Sequence, residues 1–485
     1  MRNGLERGVA LLRYSLLLLV ALWAMPAWSS PGPKFPCSAS QPPDEAIANC
    51  TKDLKGKLNP DERVMALRIR ANAYLRAKSY AQALADMDAA LRLAPGDAKS
   101  LQERAAIYVV SKKYDQARAD CGQIFQAEPN NWACLVLEGD IEIAQKDYPK
   151  AEKDYARAIA SDPDKERGYL GRALALSRQG KYSLAIADDE ALLKLQPDNV
   201  RAAVNLSYNH LQRYEAEDAI QFANRALQLD PKSSGAYEDR GKANFLMGNS
   251  AQAISDYQQA AQLSPKETTP HTGLARVYSA QHDYEKALAE CDVAQGLNPE
   301  SSYPSVMRAV IYGDMGDMDK AMTQANAAIA ADKASGDAYR VRGNIEFARQ
   351  QWANAADDYK KASELQPEGA YPAIWHFLAV ARGGGDGKAE LQAALAALTS
   401  ADWPVPAGLM YIGKETPQQL LADANSTSDY RARELKCEAN FYIGQLDLLA
   451  GRAAEAREDF RRSVETGVEG FLEFRQAKIE LKNLP

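Results

Sequence analysis

The sequence predicts an all-α chain built as an array of helical hairpins, on three observations. Alanine recurs every 34 residues, at Ala83, Ala117, Ala151, Ala185, Ala219, Ala253, Ala287, Ala321 and Ala355. Proline keeps the same interval at Pro95, Pro129, Pro163, Pro197, Pro231, Pro265, Pro299 and Pro367, with Lys333 the one gap. A second small residue keeps step before each alanine: Ala71, Ala105, Gly139, Ala173, Ser207, Gly241, Ala275, Ala309 and Gly343. A fixed period near 34 residues marks a helical repeat array rather than one large core.

The recurring letters have physical causes. Two antiparallel helices approach closely only where small residues sit at their crossing. Bulky residues flank the turn between the two helices: Tyr80, Tyr114, Tyr148, Tyr182, Tyr284 and Trp352. The proline closes each unit, because it cannot continue a helix and pushes its predecessor out of the helical region.

Length alone, 485 residues, would suggest about three domains, but a repeat array grows without a single core. Charged residues make up 25% and apolar residues 46%, an ordinary globular balance. The formal net charge is −7 and no Lys/Arg cluster stands out, so a nucleic-acid partner is not expected.

In chain order, residues 1–29 read as a signal peptide. Arg2, Arg7 and Arg13 precede the apolar run Tyr14–Met25, and Ala27-Trp28-Ser29 offers a small-residue cleavage site. The run is short for a transmembrane helix of about 20 residues, so no stable span is expected after cleavage. Residues 30–63 hold a proline-rich leader and a capping helix, Asp44 to Lys55, with Ala46, Ile47 and Cys50 on one face. Residues 64–369 hold nine repeats. Through them runs a ladder of charges: Arg70, Arg104, Arg172, Arg240, Arg308 and Arg342 at one repeat position, and carboxylates at the position sixteen residues later, Asp86, Asp120, Asp154, Asp188, Asp256, Glu290 and Asp358. These read as scaffold ion pairs, each worth about 0–1 kcal/mol if exposed. Residues 370–436, with Gly383-Gly384-Gly385-Asp386-Gly387 and Trp403-Pro404, break the period and read as a rearranged helical connector. Residues 437–485 read as a tenth unit, with Gly444, Ala456 and Phe460 at the repeat spacing, followed by a capping helix.

The six cysteines of an exported chain invite pairing, and six allow 15 connectivities. Cys37 with Cys50, and Cys121 with Cys134 across the seam of neighbouring helices, are the candidate disulfides. The alternative is a small buried residue, since Cys121 and Cys291 hold the position that is Tyr155, Tyr257 or Tyr359 in other repeats.

The phased alanines, small first-helix residues and closing prolines resemble the tetratricopeptide repeat (TPR) family over about nine units. The resemblance implies a right-handed α-solenoid whose concave face is lined by first helices. The tail (Trp375, Trp403-Pro404, Gly413, Cys437-Glu438-Ala439-Asn440-Phe441-Tyr442, Phe474, Glu480-Leu481) is similar to the C-terminal part of the new-lipoprotein-I type scaffold of the bacterial envelope. Cys37, in Lys-Phe-Pro-Cys, does not sit in a lipoprotein cleavage box, so outer-membrane anchoring is not implied.

By the TPR resemblance, partner-binding residues are the fifth and ninth of each first helix: Arg68, Asn72, Val136, Asp140, Leu170, Leu174, Val204, Tyr208, Lys242 and Arg276. The middle of that row is apolar, and exposed apolar surface often marks a partner site. A carboxylate clamp of the chaperone-binding kind is disfavoured, because Glu103 and Ala133 stand where Asn and Lys are needed. No catalytic, cofactor or metal set is expected. The four histidines, His210, His271, His282 and His376, form no HExxH motif, and no CxxC pair occurs. The Gly383 to Lys388 run fails as a phosphate loop, with Arg382 and Ala389 at its key positions. The expected role is a non-enzymatic, periplasmic scaffold that binds other envelope proteins in its groove. The alternatives are an accessory subunit of a cell-wall, secretion or polysaccharide-export complex, or a small-ligand or hydrolytic site in the tail.

Overall fold

A computed structural model describes residues 37–367, 369–398, 403–426, 429–468 and 471–484. The signal segment 1–29 lies outside them. The described residues are helical with short turns and no strand, so the fold is the expected all-α repeat solenoid. None of these helices is long and apolar enough to cross a membrane. The capping helix Pro43–Leu54 comes first. The repeats then run Pro60–Arg76 and Tyr80–Leu93, Ala98–Val110 and Tyr114–Ala127, Trp132–Ala144 and Tyr148–Ser161, Glu166–Arg178 and Tyr182–Leu195, Val200–Gln212 and Ala216–Leu229. They continue with Ser234–Leu246 and Ser250–Leu263, Thr269–Ala280 and Tyr284–Leu297, Tyr303–Asp314 and Met318–Ala331, Gly336–Ala348 and Trp352–Leu365. The described chain divides into two compact units, 37–209 and 210–484, at a point inside the helix Val200–Gln212. Each is a stack of helices in its own right.

Each first helix ends in the same way. One residue enters the left-handed region: Lys78, Lys112, Lys146, Gly180, Tyr214, Gly248, His282, Gly316, Gln350 and Gly384, all with φ between 58° and 85°. The next amide reaches back five residues, as Lys113 does to the Tyr108 carbonyl (2.8 Å) and Asp283 to that of Tyr278 (2.9 Å). This is the six-to-one closure that satisfies the last carbonyls of a helix. Glycine adopts such a φ freely and other residues do so at a cost, so the turn recurs without a recurring letter. It also carries the register past Pro367. The glycine run after Arg382, expected to be connector, makes this turn at Gly384 in step with the other nine.

The alanines of the 34-residue ladder are all completely buried. Tyr155 shows why neighbouring positions must be small. A Cβ added at Gly139 would lie 2.7 Å from its ring, and one at Gly171, in the next first helix, 2.3 Å. The ring thus wedges between successive first helices, and its hydroxyl is tied to Asp140 at 2.7 Å. In the C-terminal unit Tyr257 crowds Gly273 in the same way, and Phe460 crowds Gly444.

The charge ladder is more buried than the sequence suggested. Asp86, Asp120 and Asp188 in the first unit, and Asp256 and Asp358 in the second, are 2–6% exposed. Each receives a two-pronged bond from the arginine sixteen residues earlier, as from Arg104 Nε and Nη2 to Asp120 at 2.9 and 2.7 Å. Arg104 also reaches Asp88 of the preceding repeat at 2.8 Å. Arg308 lacks a partner carboxylate ahead and pairs backward with Asp292 at 2.7 Å. Fork-shaped pairs of this kind position helices. Removing one member leaves a buried charge, which costs more than the surface value assumed from sequence.

Cys37 and Cys50 are joined in a disulfide, packed on Ala66 of the first repeat. The second candidate bridge is corrected: Cys121 and Cys134 are both free and buried, as are Cys291 and Cys437. Cys121 and Cys134 pack thiol to thiol among Leu91, Leu101, Ile124 and Leu137, serving as small core residues at the seam. The neighbouring Cys134 thiol first, and burial second, push the Cys121 pKa far up, which disfavours the thiolate that disulfide chemistry needs.

The tail adds short helices Lys388–Ala396, Val405–Tyr411 and Pro417–Asp423, then a long helix Asp429–Leu449, Ala453–Glu465 and a final helix Leu472–Asn483. Trp375, Tyr359, Phe441, Tyr442 and Phe460 form an aromatic core there.

Gly171→Ala is expected to destabilise the N-terminal unit by about 2 kcal/mol, because the Tyr155 ring held by Asp140 cannot move aside. Tyr155→Leu in the same chain should recover part of that loss. Calorimetric melting of the single and double variants checks it, and equal melting of Gly171→Ala and the parent would contradict the wedge.

Candidate partner-binding surface

The middle of the first-helix row was expected to expose apolar side chains, and two of them, Val136 and Leu170, do not. In the N-terminal unit Val136 is 1% exposed and Leu170 3%, so both are core. Close stacking of first helices turns these positions into the seam rather than the surface. Leu174, Val204 and Tyr208 stay half-buried and form the apolar part of the row that meets solvent. Arg68 and Asn72 are also half-buried. Arg68 donates two bonds to Glu103 of the next repeat, one of them at 2.8 Å. Asp140 takes the Tyr155 hydroxyl and the Arg167 guanidinium. Burial lifts its carboxyl pKa above the ordinary value despite Arg167. Glu103 and Arg167, which the sequence reading did not select as partner residues, are thus the side chains that hold the row in place. Their signal is visible only once neighbouring repeats are stacked.

In the C-terminal unit Lys242 and Arg276 are half-buried, and Arg276 lies over the Phe245 ring at 5.6 Å. Further along, the equivalent positions are covered by the chain itself. Arg340 and Asn344 of the ninth repeat are 5% and 8% exposed. The Asn344 carbonyl accepts a bond from Gln476 of the final helix at 3.2 Å, and Arg475 of that helix pairs with Asp314 of the eighth repeat.

The tail builds a polar face of its own. On the long helix, Arg431, Glu434, Glu438, Tyr442 and Gln445 are spaced by three or four residues and so share one face. On the final helix Glu473, Gln476 and Glu480 do the same. The two stripes meet. Gln445 donates to Glu480 at 2.9 Å, Arg382 donates to Gln445 at 2.7 Å and pairs with Glu480, and Tyr442 donates to Glu473 at 3.0 Å. Glu438 accepts from the Tyr371 hydroxyl at 2.7 Å and the Trp403 indole at 2.8 Å. Arg431 stacks on the Tyr214 ring at 4.0 Å. The sequence analysis treated Glu438 and Tyr442 only as marks of resemblance. Their spacing was the available signal, but it does not show what lies opposite.

Among the described residues, His210, Glu215 and Asp218 are the group that could hold a metal ion. Glu215 is already shared between His210 (2.7 Å) and Arg213 (2.8 Å), so a metal would have to displace both.

Burial first, and Glu473 second, push the Glu438 pKa up to about 7. An unfolded glutamate releases its proton near pH 4.3. Between those values the folded chain holds more protons than the unfolded one, so this group's contribution to stability falls as pH rises through the window. Among the described residues, Arg431, Glu434, Glu473, Tyr371 and Tyr442 are charged or titratable groups around it. Glu438→Gln is expected to raise the melting temperature at pH 8 and to reduce its decline between pH 4.5 and 7. The decline should not vanish, because Glu346 and Asp459 are also pushed up, to about 7 and 6. Thermal melting across that range checks this, and an unchanged slope would contradict it.

Models of the tetratricopeptide repeat match residues 57–98, 104–166, 170–234 and 306–370, and a second model of that repeat matches 245–309. No curated protein matches the chain in sequence. Among solved structures, the chain is similar to a tetratricopeptide repeat protein from Parabacteroides merdae. The identity is 20%, covering 51% of this chain and 98% of that one, with a TM-score of 0.45. It is also similar to yeast Tom70, at 16% identity over 79% of this chain and 94% of that one, with a TM-score of 0.49.

Proposed function

Since the chain belongs to the tetratricopeptide repeat family, we propose that it is an exported scaffold of the bacterial cell envelope that holds a segment of another envelope protein against its first helices. The observation that carries the reading is the half-buried apolar run Leu174, Val204 and Tyr208, flanked by a polar row already fixed by Arg68–Glu103 and Arg167–Asp140. A surface whose polar members are locked in advance loses little freedom on binding, and its apolar members supply the anchor. An amphipathic helix or extended segment fits such a face. The reading assigns no reaction to the chain.

Export is supported by Arg2, Arg7 and Arg13 ahead of the apolar run Tyr14–Met25, and by the Cys37–Cys50 disulfide, since such bonds persist in oxidising compartments. The mature protein in the periplasm would begin near residue 30. Intact-mass measurement of protein from periplasmic extract tests this, and a retained Met1 would refute the cleavage. For the scaffold reading, Leu174→Glu with Tyr208→Glu is expected to release envelope proteins that the parent retains in pull-downs, with helicity unchanged. Retention of every partner by the double variant would refute the surface assignment.

A further inference from the structure

The tail of the C-terminal unit gathers three buried glutamates around a buried arginine. Glu434, Glu438 and Glu473 are completely buried, and the buried Arg431 is the guanidinium among them. Arg431 donates to Glu434 Oε2 at 3.1 Å but stops 4.0 Å from Glu438 Oε1, too far for a hydrogen bond. The nearby Arg340 is turned toward Asp337 at 3.2 Å. One oxygen of Glu438 is taken by Tyr371 and Trp403, and one of Glu473 by Tyr442. The other oxygen of each, Glu438 Oε1 and Glu473 Oε2, is buried and accepts no bond. Tyr442, one helical turn from Glu438, bonds Glu473, so the two carboxylates are neighbours, and buried oxygens left in this way are costly to a fold unless a donor reaches them.

We propose that this cluster is a binding site for a primary ammonium group, with Glu438 Oε1 and Glu473 Oε2 as its acceptors. An ammonium carries three donors on a compact charge. A guanidinium fits less well, because its planar fork prefers both oxygens of one carboxylate, and here the two uncommitted oxygens come from different helices. A divalent cation such as calcium needs six to eight oxygen ligands, and these two do not supply them. Tyr371, Tyr442 and Trp403, which already hold the neighbouring oxygens, place aromatic rings around the site, and an ammonium is attracted to such faces. The same group could arrive on a free alkylamine or on a lysine of a partner. Its residues belong to the C-terminal unit, and the proposal does not rest on the scaffold reading.

The test is thermal melting of the full mature chain at pH 8 with two probes, 1,5-diaminopentane and Nα-acetyl-lysinamide. Sodium chloride at equal ionic strength and Nα-acetyl-norleucinamide serve as controls. Saturating probe is expected to raise the melting temperature by about 3 °C, while the controls do not. Glu438→Gln and Glu473→Gln, which relieve buried charge and so should fold, are each expected to lose the response. Leu174→Glu is expected to keep it, which separates this site from the groove. Response to the diamine alone assigns a free amine, and response to the lysine derivative alone assigns a partner's side chain. No response of the parent to either probe, or an equal response in both Gln variants, overturns the proposal.

Discussion

The close approach of neighbouring helices at small residues is the constraint on which the other features depend. Ala83 and its successors are completely buried because nothing larger fits where the two helices of a repeat cross. Where the spacing is tightest the limit falls below alanine: the Tyr155 ring lies against two glycines, Gly139 and Gly171, on successive first helices. A repeat that obeys this rule presents the same faces to the units before and after it, and an array of any length follows from nearest-neighbour packing.

The same closeness decides which side chains remain available to a partner. First helices packed this tightly swallow Val136 and Leu170, which a loosely stacked array would display. They also bring charged groups within reach across repeat boundaries, so Arg68 finds Glu103 and Arg104 spans Asp88 and Asp120. The ladder of buried aspartates then acts as a register device. Each arginine meets carboxylates at fixed offsets, and a slipped hairpin would bury them unpaired.

The C-terminal unit uses a different economy of polar groups. Its last helix lies along first-helix positions of the eighth and ninth repeats, through Arg475 with Asp314 and Gln476 with the Asn344 carbonyl. It meets the long helix through a glutamate and glutamine face beside an apolar one, where Phe474 packs with Cys437. That arrangement specifies how the end of the chain seats, and it leaves Glu438 Oε1 and Glu473 Oε2 without donors.

The sequence by itself determined the period, the helix pairs and the hairpin class, because close helix crossings accept only small residues and a proline stops a helix whatever surrounds it. The offset between Arg70 and Asp86, and its repeats, was likewise legible as pairing. The tertiary structure alone decided how deeply those pairs are buried. It also decided that the hairpin turn continues to Gly384, that Cys121 and Cys134 are free while Cys37 and Cys50 are joined, and that Glu473 acts on the buried Glu438. The reason is the range of the forces involved. Helix termination and hairpin crossing are set by neighbours within one repeat, whereas burial and the matching of charge depend on what distant segments place opposite a side chain.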